Sequence, residues 1–306
     1  MERAVITGAT GFLGRWLTRE LLKNGVSITA IIRPGSVNRA LLPKNPQLDI
    51  VECAMCDYRS LRISHSEGSV WYHLAWEGVS GADRSSLPVQ LANIQASRDA
   101  VEAAAAMDCD MFVGLGTIME QESALVAAVD GSQPGTGYLY GGAKGYAHLL
   151  TKVDAARLGI PHIWAALTNA YGEYEWSPRF INSTLHKILR REPLEFTSGT
   201  QIYDFIHVED AVKALILIAD KGRPYYRYVI GSGQAAPLRD FVQAIGRTLA
   251  PDQTLHFGDI PYTGAQLPRE AFSIESLKQD TGFQPQICFE EGLQRTIEWI
   301  KKEKNI

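Results

Sequence analysis

Short runs of β-branched and aliphatic residues alternate with amphipathic stretches through the first half of the chain. This rhythm predicts an α/β fold, a parallel sheet covered by helices on both faces. The runs expected as strands are Arg3–Ile6, Ser27–Ile32, Leu48–Ala54, Val70–Leu74, Met111–Gly114 and His162–Leu167. Between the first two, Leu13, Trp16, Leu17 and Leu21 share one helical face, which predicts a helix over Leu13–Asn24 stopped by Gly25. Asn93–Met107 reads as another helix, and its small face through Ala103–Ala106 permits close packing. A further helix covers Tyr138–Leu158.

Beyond Tyr171-Gly172 the pattern changes. Helical stretches such as Arg179–Arg190 and Leu238–Leu249 mix with isolated short strands and more proline and glycine. The expected organisation is a doubly wound Rossmann domain over 1–172, rejoined by 201–222, and a smaller α/β domain over 173–306. Glu290–Lys304 reads as a charged amphipathic helix. The formal charge of −4 gives no global attraction to nucleic acid or anionic membrane. The apolar run Ala214–Ala219 is far shorter than the ~20 residues of a membrane span. Met1-Glu2-Arg3 leads straight into the first strand without a signal-peptide pattern, so a cytoplasmic location is expected. Cys53 and Cys56 have C-x-x-C spacing, but no second pair or nearby histidine completes a metal site. Buried or half-buried free thiols are expected there, and no metal.

Thr7-Gly8-Ala9-Thr10-Gly11-Phe12-Leu13-Gly14 follows the first strand and opens the first helix. Gly8 permits the tight turn, Gly11 lets the backbone approach a pyrophosphate, and Gly14 lets the helix sit close on the strand. Gly8, Thr10, Gly11, Phe12, Leu13 and Gly14 are therefore candidate dinucleotide contacts, with the phosphates on the helix N-terminus. After the second strand the chain has Arg33-Pro34-Gly35-Ser36 and no acid, which favours the 2′-phosphate of NADP over NAD. Asp57, past the third strand, is a candidate acceptor for the adenine amino group.

Tyr140 and Lys144 are four residues apart on one helix, so their side chains can meet the same ligand. A free phenol titrates near pH ~10, and a nearby ammonium brings it toward neutrality as a proton donor or acceptor. Together with His73-Leu74-Ala75, Asn93, Thr117, Asn169-Ala170-Tyr171-Gly172 and Asp204-Phe205-Ile206, these motifs resemble the extended short-chain dehydrogenase/reductases. The branch they resemble is that of nucleotide-sugar epimerases, dehydratases and 4-ketoreductases, and the similarity runs on to Gly282-Phe283-x-Pro285. The resemblance implies Tyr140 as proton donor or acceptor, Lys144 as its electrostatic partner and Thr117 as the hydroxyl on the reacting sugar oxygen. It also implies Leu74 and Ala75 as cofactor contacts, His73 as a structural residue, and a homodimer formed through Asn93–Met107 and Tyr138–Leu158.

Dehydratases of this family carry Asp-Glu directly after the catalytic threonine. Here Ile118 and Met119 stand there, and neither moves a proton, although Glu120 follows. The reaction expected is therefore NADPH-dependent reduction of a nucleotide-linked 4-keto-6-deoxyhexose, with a 4-epimerase using bound NAD as the alternative. A dinucleotide-binding sensor and a reductase of non-sugar ketones are the further readings. The family's arginine before Asp-Phe-Ile is replaced by Tyr203, so Arg179, Arg191 and Arg269 are the candidates to supply the cation on the diphosphate, with Arg269 favoured by the resemblance. Asn169, Trp76 and Ser80 complete the expected substrate contacts.

Overall fold

A computed structural model describes residues 1–251, 255–262 and 264–304, so the last two residues of the 173–306 range lie outside it. The alternating half of the chain forms seven strands: β1 (Arg3–Thr7), β2 (Ser27–Ile32), β3 (Leu48–Glu52), β4 (Val70–His73), β5 (Met111–Thr117), β6 (His162–Leu167) and β10 (Arg227–Ile230). Their order is β10-β6-β5-β4-β1-β2-β3, and every neighbouring pair is parallel. From β1 the chain winds first toward β3 and then back through β4. The strand order therefore reverses between β1 and β4, where α/β sheets open a ligand crevice.

Helix α1 (Phe12–Lys23) buries Leu13, Leu17 and Leu21 against one face of the sheet, beside Val212, Leu215 and Ile218 of α6 (Val208–Lys221). On the other face lie α2 (Leu87–Ala106) and α4 (Tyr138–Leu158). Ala96, Ala100, Ala103 and Ala104 are buried together with Ala155 there, so the small face of α2 brings the two helices close.

Strand β5 runs three residues past its expected end at Gly114. Gly114 and Gly116 are not turn signals here. A Cβ at either would overlap the indole of Trp164, which lies flat across the strand, and pairing continues to Thr117↔Leu167. Helix α3 (Met119–Ala128) was not legible from hydrophobic periodicity, since its apolar and polar residues do not separate into faces. It crosses α4 at Gly141, where a Cβ would strike Ser123 Oγ and the Met119 carbonyl.

From Asn169 onward the strands are short. β7 (Asn169–Tyr171) pairs in parallel with β9 (Phe205–His207), and β8 (Ile202–Tyr203) pairs antiparallel with β11 (Ala236–Pro237). A separate apolar cluster joins Ile181 and Leu185 of α5 (Phe180–Leu189), Phe241 and Ile245 of α7 (Leu238–Leu249), and Leu293 and Ile297 of α9 (Phe289–Lys304). The return to the sheet extends past residue 222, because β10 is the strand beside β6. Cys53 is half-buried, whereas Cys56 is exposed rather than buried; both are free thiols.

Asp204 joins these parts. Its fully buried carboxylate accepts from Thr168 Oγ1 (3.0 Å), Ser232 N (2.8 Å), Ser232 Oγ (3.0 Å) and Gly233 N (3.0 Å). Asp204→Ala strands these donors and is expected to cost about 3–5 kcal/mol. A urea-unfolding midpoint equal to that of the parent would contradict this bridging role.

Candidate active site

A cavity of about 520 Å³ opens beyond the C-terminal ends of β1, β4, β5 and β6. One wall is the glycine turn, with Gly8, Gly11, Phe12, Leu13 and Gly14. Gly8 has φ +73°, and a Cβ there would lie 2.7 Å from Ala75 N. A Cβ on Gly14 would overlap the Gly8 carbonyl oxygen. The cap position of α1, Gly11, offers no side chain to the first helical N–H groups. A pyrophosphate fits this cradle, held by backbone donors and the helix dipole.

The opposite wall holds the candidate catalytic residues. Thr117 ends β5, and Tyr140 and Lys144 sit in the first turns of α4, all three buried and lining the cavity. Lys144 Nζ donates to the Leu115 carbonyl at 2.7 Å and lies 3.8 Å from the Trp76 ring centroid. The Trp76 indole stands edge-on to Tyr140, and its Nε1 donates to Gln90 Oε1 at 3.0 Å. Burial lowers Lys144 to about 7; Glu120 opposes that shift and Arg179 adds to it. Burial raises the Tyr140 phenol, against the pull of Arg179 and Arg84.

Leu74, Trp76, Ser80 and Asn169 also line the cavity. The Asn169 amide already donates to the Asp204 carbonyl at 3.1 Å. Thr10 and Ala75 are not in the lining; Ala75 is buried behind Gly8. Arg33 and Asp57 are exposed, and Arg33 is 3.5 Å from Glu77 Oε1. Arg269 is exposed on the short turn Arg269–Phe272 outside the cavity wall, so the structure does not bring it to the site. Of the arginines considered, Arg179 is the one in the wall.

Arg84 escaped sequence reasoning. It stands in a short turn with no motif, yet its guanidinium lies 4.5 Å over the Tyr140 ring. Glu77 was missed too, because it follows β4 rather than β2. Asn93 holds that loop by accepting from Glu77 N and donating to Glu77 O, both at 2.8 Å. His73 is buried with Nδ1 against Thr7 Oγ1 (2.9 Å) and Nε2 against Ser97 Oγ (3.0 Å), and burial pushes it down to about 3. Among the described residues no group of three or more His, Cys, Asp or Glu is placed to hold a metal, and no helix is long and apolar enough to cross a membrane.

With this geometry in place, comparison with known proteins defines the class. Residues 4–231 match the NAD dependent epimerase/dehydratase family, and the chain belongs to it. It is accordingly an NAD(P)-dependent enzyme of the extended short-chain dehydrogenase/reductase type. CDP-abequose synthase of Salmonella typhimurium is 23% identical over 97% of each chain. The dTDP-glucose 4,6-dehydratase of Escherichia coli is 29% identical, over 54% of this chain and 49% of that protein. Among solved structures, the UDP-glucuronic acid 4-epimerase of Bacillus cereus, in complex with UDP-glucuronic acid and NAD, superposes with TM-score 0.80. It is 21% identical, covering 98% of this chain and 99% of the other. The Bordetella bronchiseptica enzyme WbmF bound to NAD+ gives 0.77 at 22% identity, over 99% and 94%. At these identities the structural likenesses establish the fold.

Tyr140→Phe removes the phenolic hydroxyl while keeping the ring between Trp76 and Arg84. Turnover is expected to fall at least about 100-fold, with the dinucleotide Kd from fluorescence titration unchanged. Retained activity would refute a proton-transfer role for this residue.

Proposed function

We propose that this enzyme reduces a nucleotide-linked 4-keto-6-deoxyhexose at C4, using NADPH. The observation that carries the reading is what surrounds Thr117. Ile118 is buried and apolar, Met119 lines the cavity with a thioether, and Glu120 turns away from the cavity onto Trp164 Nε1 and Thr117 N. The acid and base that water loss requires are absent from this position, and carbonyl–alcohol interconversion needs neither. The full-length similarity to a CDP-sugar synthase supports a nucleotide-sugar substrate.

When bound, the dinucleotide supplies hydride to C4. Gly8, Gly11 and Gly14 would hold its pyrophosphate, and Lys144 its nicotinamide ribose. Tyr140 gives its proton to the C4 oxygen, and Thr117 donates a hydrogen bond to the same oxygen as charge develops on it. Lys144, when charged, lowers the phenol's pKa and makes that transfer effective near neutrality. Trp76 and Ser80 wall the sugar, Asn169 contacts the substrate, and Arg179 takes the role of diphosphate partner first assigned to Arg269.

The cofactor preference rests on Arg33, which is exposed at the end of β2 and available to a 2′-phosphate. Glu77 favours the second reading, a 4-epimerase with bound NAD, because it places a carboxylate beside Arg33 that can accept from ribose hydroxyls. Incubation with nucleotide 4-keto sugars separates the two. Stoichiometric NADPH oxidation is expected, with Arg33→Asp raising KM for NADPH about tenfold or more and sparing NADH. Interconversion of 4-hydroxy sugars without net cofactor turnover would sink the reductase; dinucleotide binding with no turnover of any kind would favour a sensor.

The reading includes a cytoplasmic homodimer. Tyr146, Leu149 and Val153 recur along one face of α4 at 56%, 58% and 55% exposure, and Leu87 and Leu91 are exposed on α2, which packs against α4. Exposed apolar side chains repeated on two packed helices are an interface signature, and a second copy of the same two helices can cover them. Leu149→Asp combined with Val153→Asp is expected to turn a sedimenting dimer into a monomer. A parent protein that already sediments as a monomer would exclude the dimer.

A further inference from the structure

We propose that Glu120 is a positioning residue of this site, fixing the backbone of Thr117 and presenting a negative charge to Lys144 from behind the cavity. The inference rests on the catalytic roles proposed above for Thr117 and Lys144. Four observations carry it.

The first is placement. Glu120 is buried in the first turn of α3, outside the cavity lining, and therefore cannot touch substrate. The second is its hydrogen bonds. Oε1 accepts from Thr117 N at 2.6 Å and from Trp164 Nε1 at 3.0 Å, and Oε2 lies 3.1 Å from the same indole nitrogen. A charge-assisted bond to a main-chain N–H holds that peptide firmly, so the Thr117 hydroxyl is presented from a fixed backbone.

The third is the space reserved for it. A Cβ on Gly116 would overlap both Trp164 Nε1 and Glu120 Oε1, and a Cβ on Gly145, the residue after Lys144, would lie 3.9 Å from Glu120 Cβ. Glycine at 116 on β5 thus admits the carboxylate, which lies in ordinary contact distance of α4 at Gly145. The fourth is its charged surroundings. From α4 it faces Tyr140, whose phenol its charge raises, Lys144, and His148, whose Nδ1 is 3.8 Å from Oε2; from β10 it faces Arg227. Burial raises its own carboxyl against the pull of Thr117 N, Trp164, Arg227 and Lys144. His148 is stacked on Trp164, and burial holds it down to about 4, so it brings no positive charge at neutral pH. Lys144 in turn faces Glu120, Arg179 and the Trp76 ring.

The sign of the effect follows. Burial disfavours the Lys144 ammonium, and Glu120 is the carboxylate that opposes this. Without it the lysine loses its proton at lower pH, and the phenol loses its electrostatic partner while the solution is still neutral. A lysine whose pKa is depressed is charged below that pKa, so activity depending on the charge falls as pH rises through it.

Glu120→Gln is the discriminating variant. Its amide oxygen can still accept from Thr117 N and Trp164 Nε1, while the charge is gone. The readout is the pH titration of the Lys144 ¹³Cε resonance in ¹³C-lysine-labelled protein, assigned by its loss in Lys144→Arg. The midpoint is expected to fall by about one pH unit in Glu120→Gln. The alkaline fall of kcat/KM should move down by the same amount, with the dinucleotide Kd unchanged. Glu120→Ala, which also frees the Thr117 N–H, should lower kcat further at every pH. An unmoved Lys144 midpoint in a folded Glu120→Gln protein overturns the proposal. The resonance reports the lysine without any substrate, so failure of the parent protein to reduce a keto sugar counts against the reductase reading alone.

Discussion

The site depends on one steric constraint, the contact of backbone with backbone at the turn between β1 and α1. Gly14 meets the Gly8 carbonyl with no room for a Cβ, and Gly8 meets the peptide of Ala75 at the end of β4. These contacts set α1 hard against the sheet at the point where the strand order reverses. The helix N-terminus then faces the crevice with its first N–H groups uncapped, as an anion requires. The ends of β4 and β5 follow in the same layer, through the registers Thr7↔His73 and His73↔Gly114. Thr117 therefore stands beside the cradle because the strands that carry it are pinned to the same turn.

A second constraint is electrostatic. Arg84 and Arg179 act on the buried Tyr140 phenol, Lys144 lies in the same cavity wall, and burial opposes charge on both phenol and ammonium. Glu175 already stands 3.8 Å from Arg179 on the cavity wall, so an incoming anion would share that cation. The diphosphate of the proposed substrate is an anion of the right size and would meet Arg179 at the cavity wall. Between β5 and α4 the counter-charge is supplied by the protein itself, through Glu120. Substrate charge in front and protein charge behind would then together hold Lys144 in the form that assists proton transfer.

Much of the fold was legible because its elements are governed by local pattern. The strands Ser27–Ile32 and His162–Leu167 and the helix Leu238–Leu249 have the bounds that hydrophobic periodicity indicates. Where legibility failed, a distant partner had overridden the local signal. Gly114 and Gly116 look like the end of a strand and are instead the bed of Trp164, a residue from the next strand. Helix α3 has no apolar face because it packs mainly on α4 at the start of the catalytic segment. The spacing of Tyr140, Lys144 and Thr117 marks a site in sequence because two lie on one helix and the third ends a strand. Arg84 and Glu77 carry no such mark, since loops at the mouth of the cavity set their positions. Arg269 shows the opposite error, a residue suggested by resemblance that the fold leaves at the surface.

The chemistry and the choice of cofactor lie on different levels of this structure. Buried groups in fixed positions surround Tyr140, and changing any of them costs desolvated charge or packing. The Arg33–Glu77 pair is exposed, at 3.5 Å, and an ion pair of that kind is worth ~0–1 kcal/mol. A 2′-phosphate can displace Glu77 from Arg33 at small cost, and a ribose hydroxyl can equally use Glu77. In the proposed reaction, proton transfer at C4 would depend on the core, while the preference between dinucleotides would depend on two surface side chains. This separation lets one scaffold serve both a reduction that consumes its cofactor and an epimerisation that returns it.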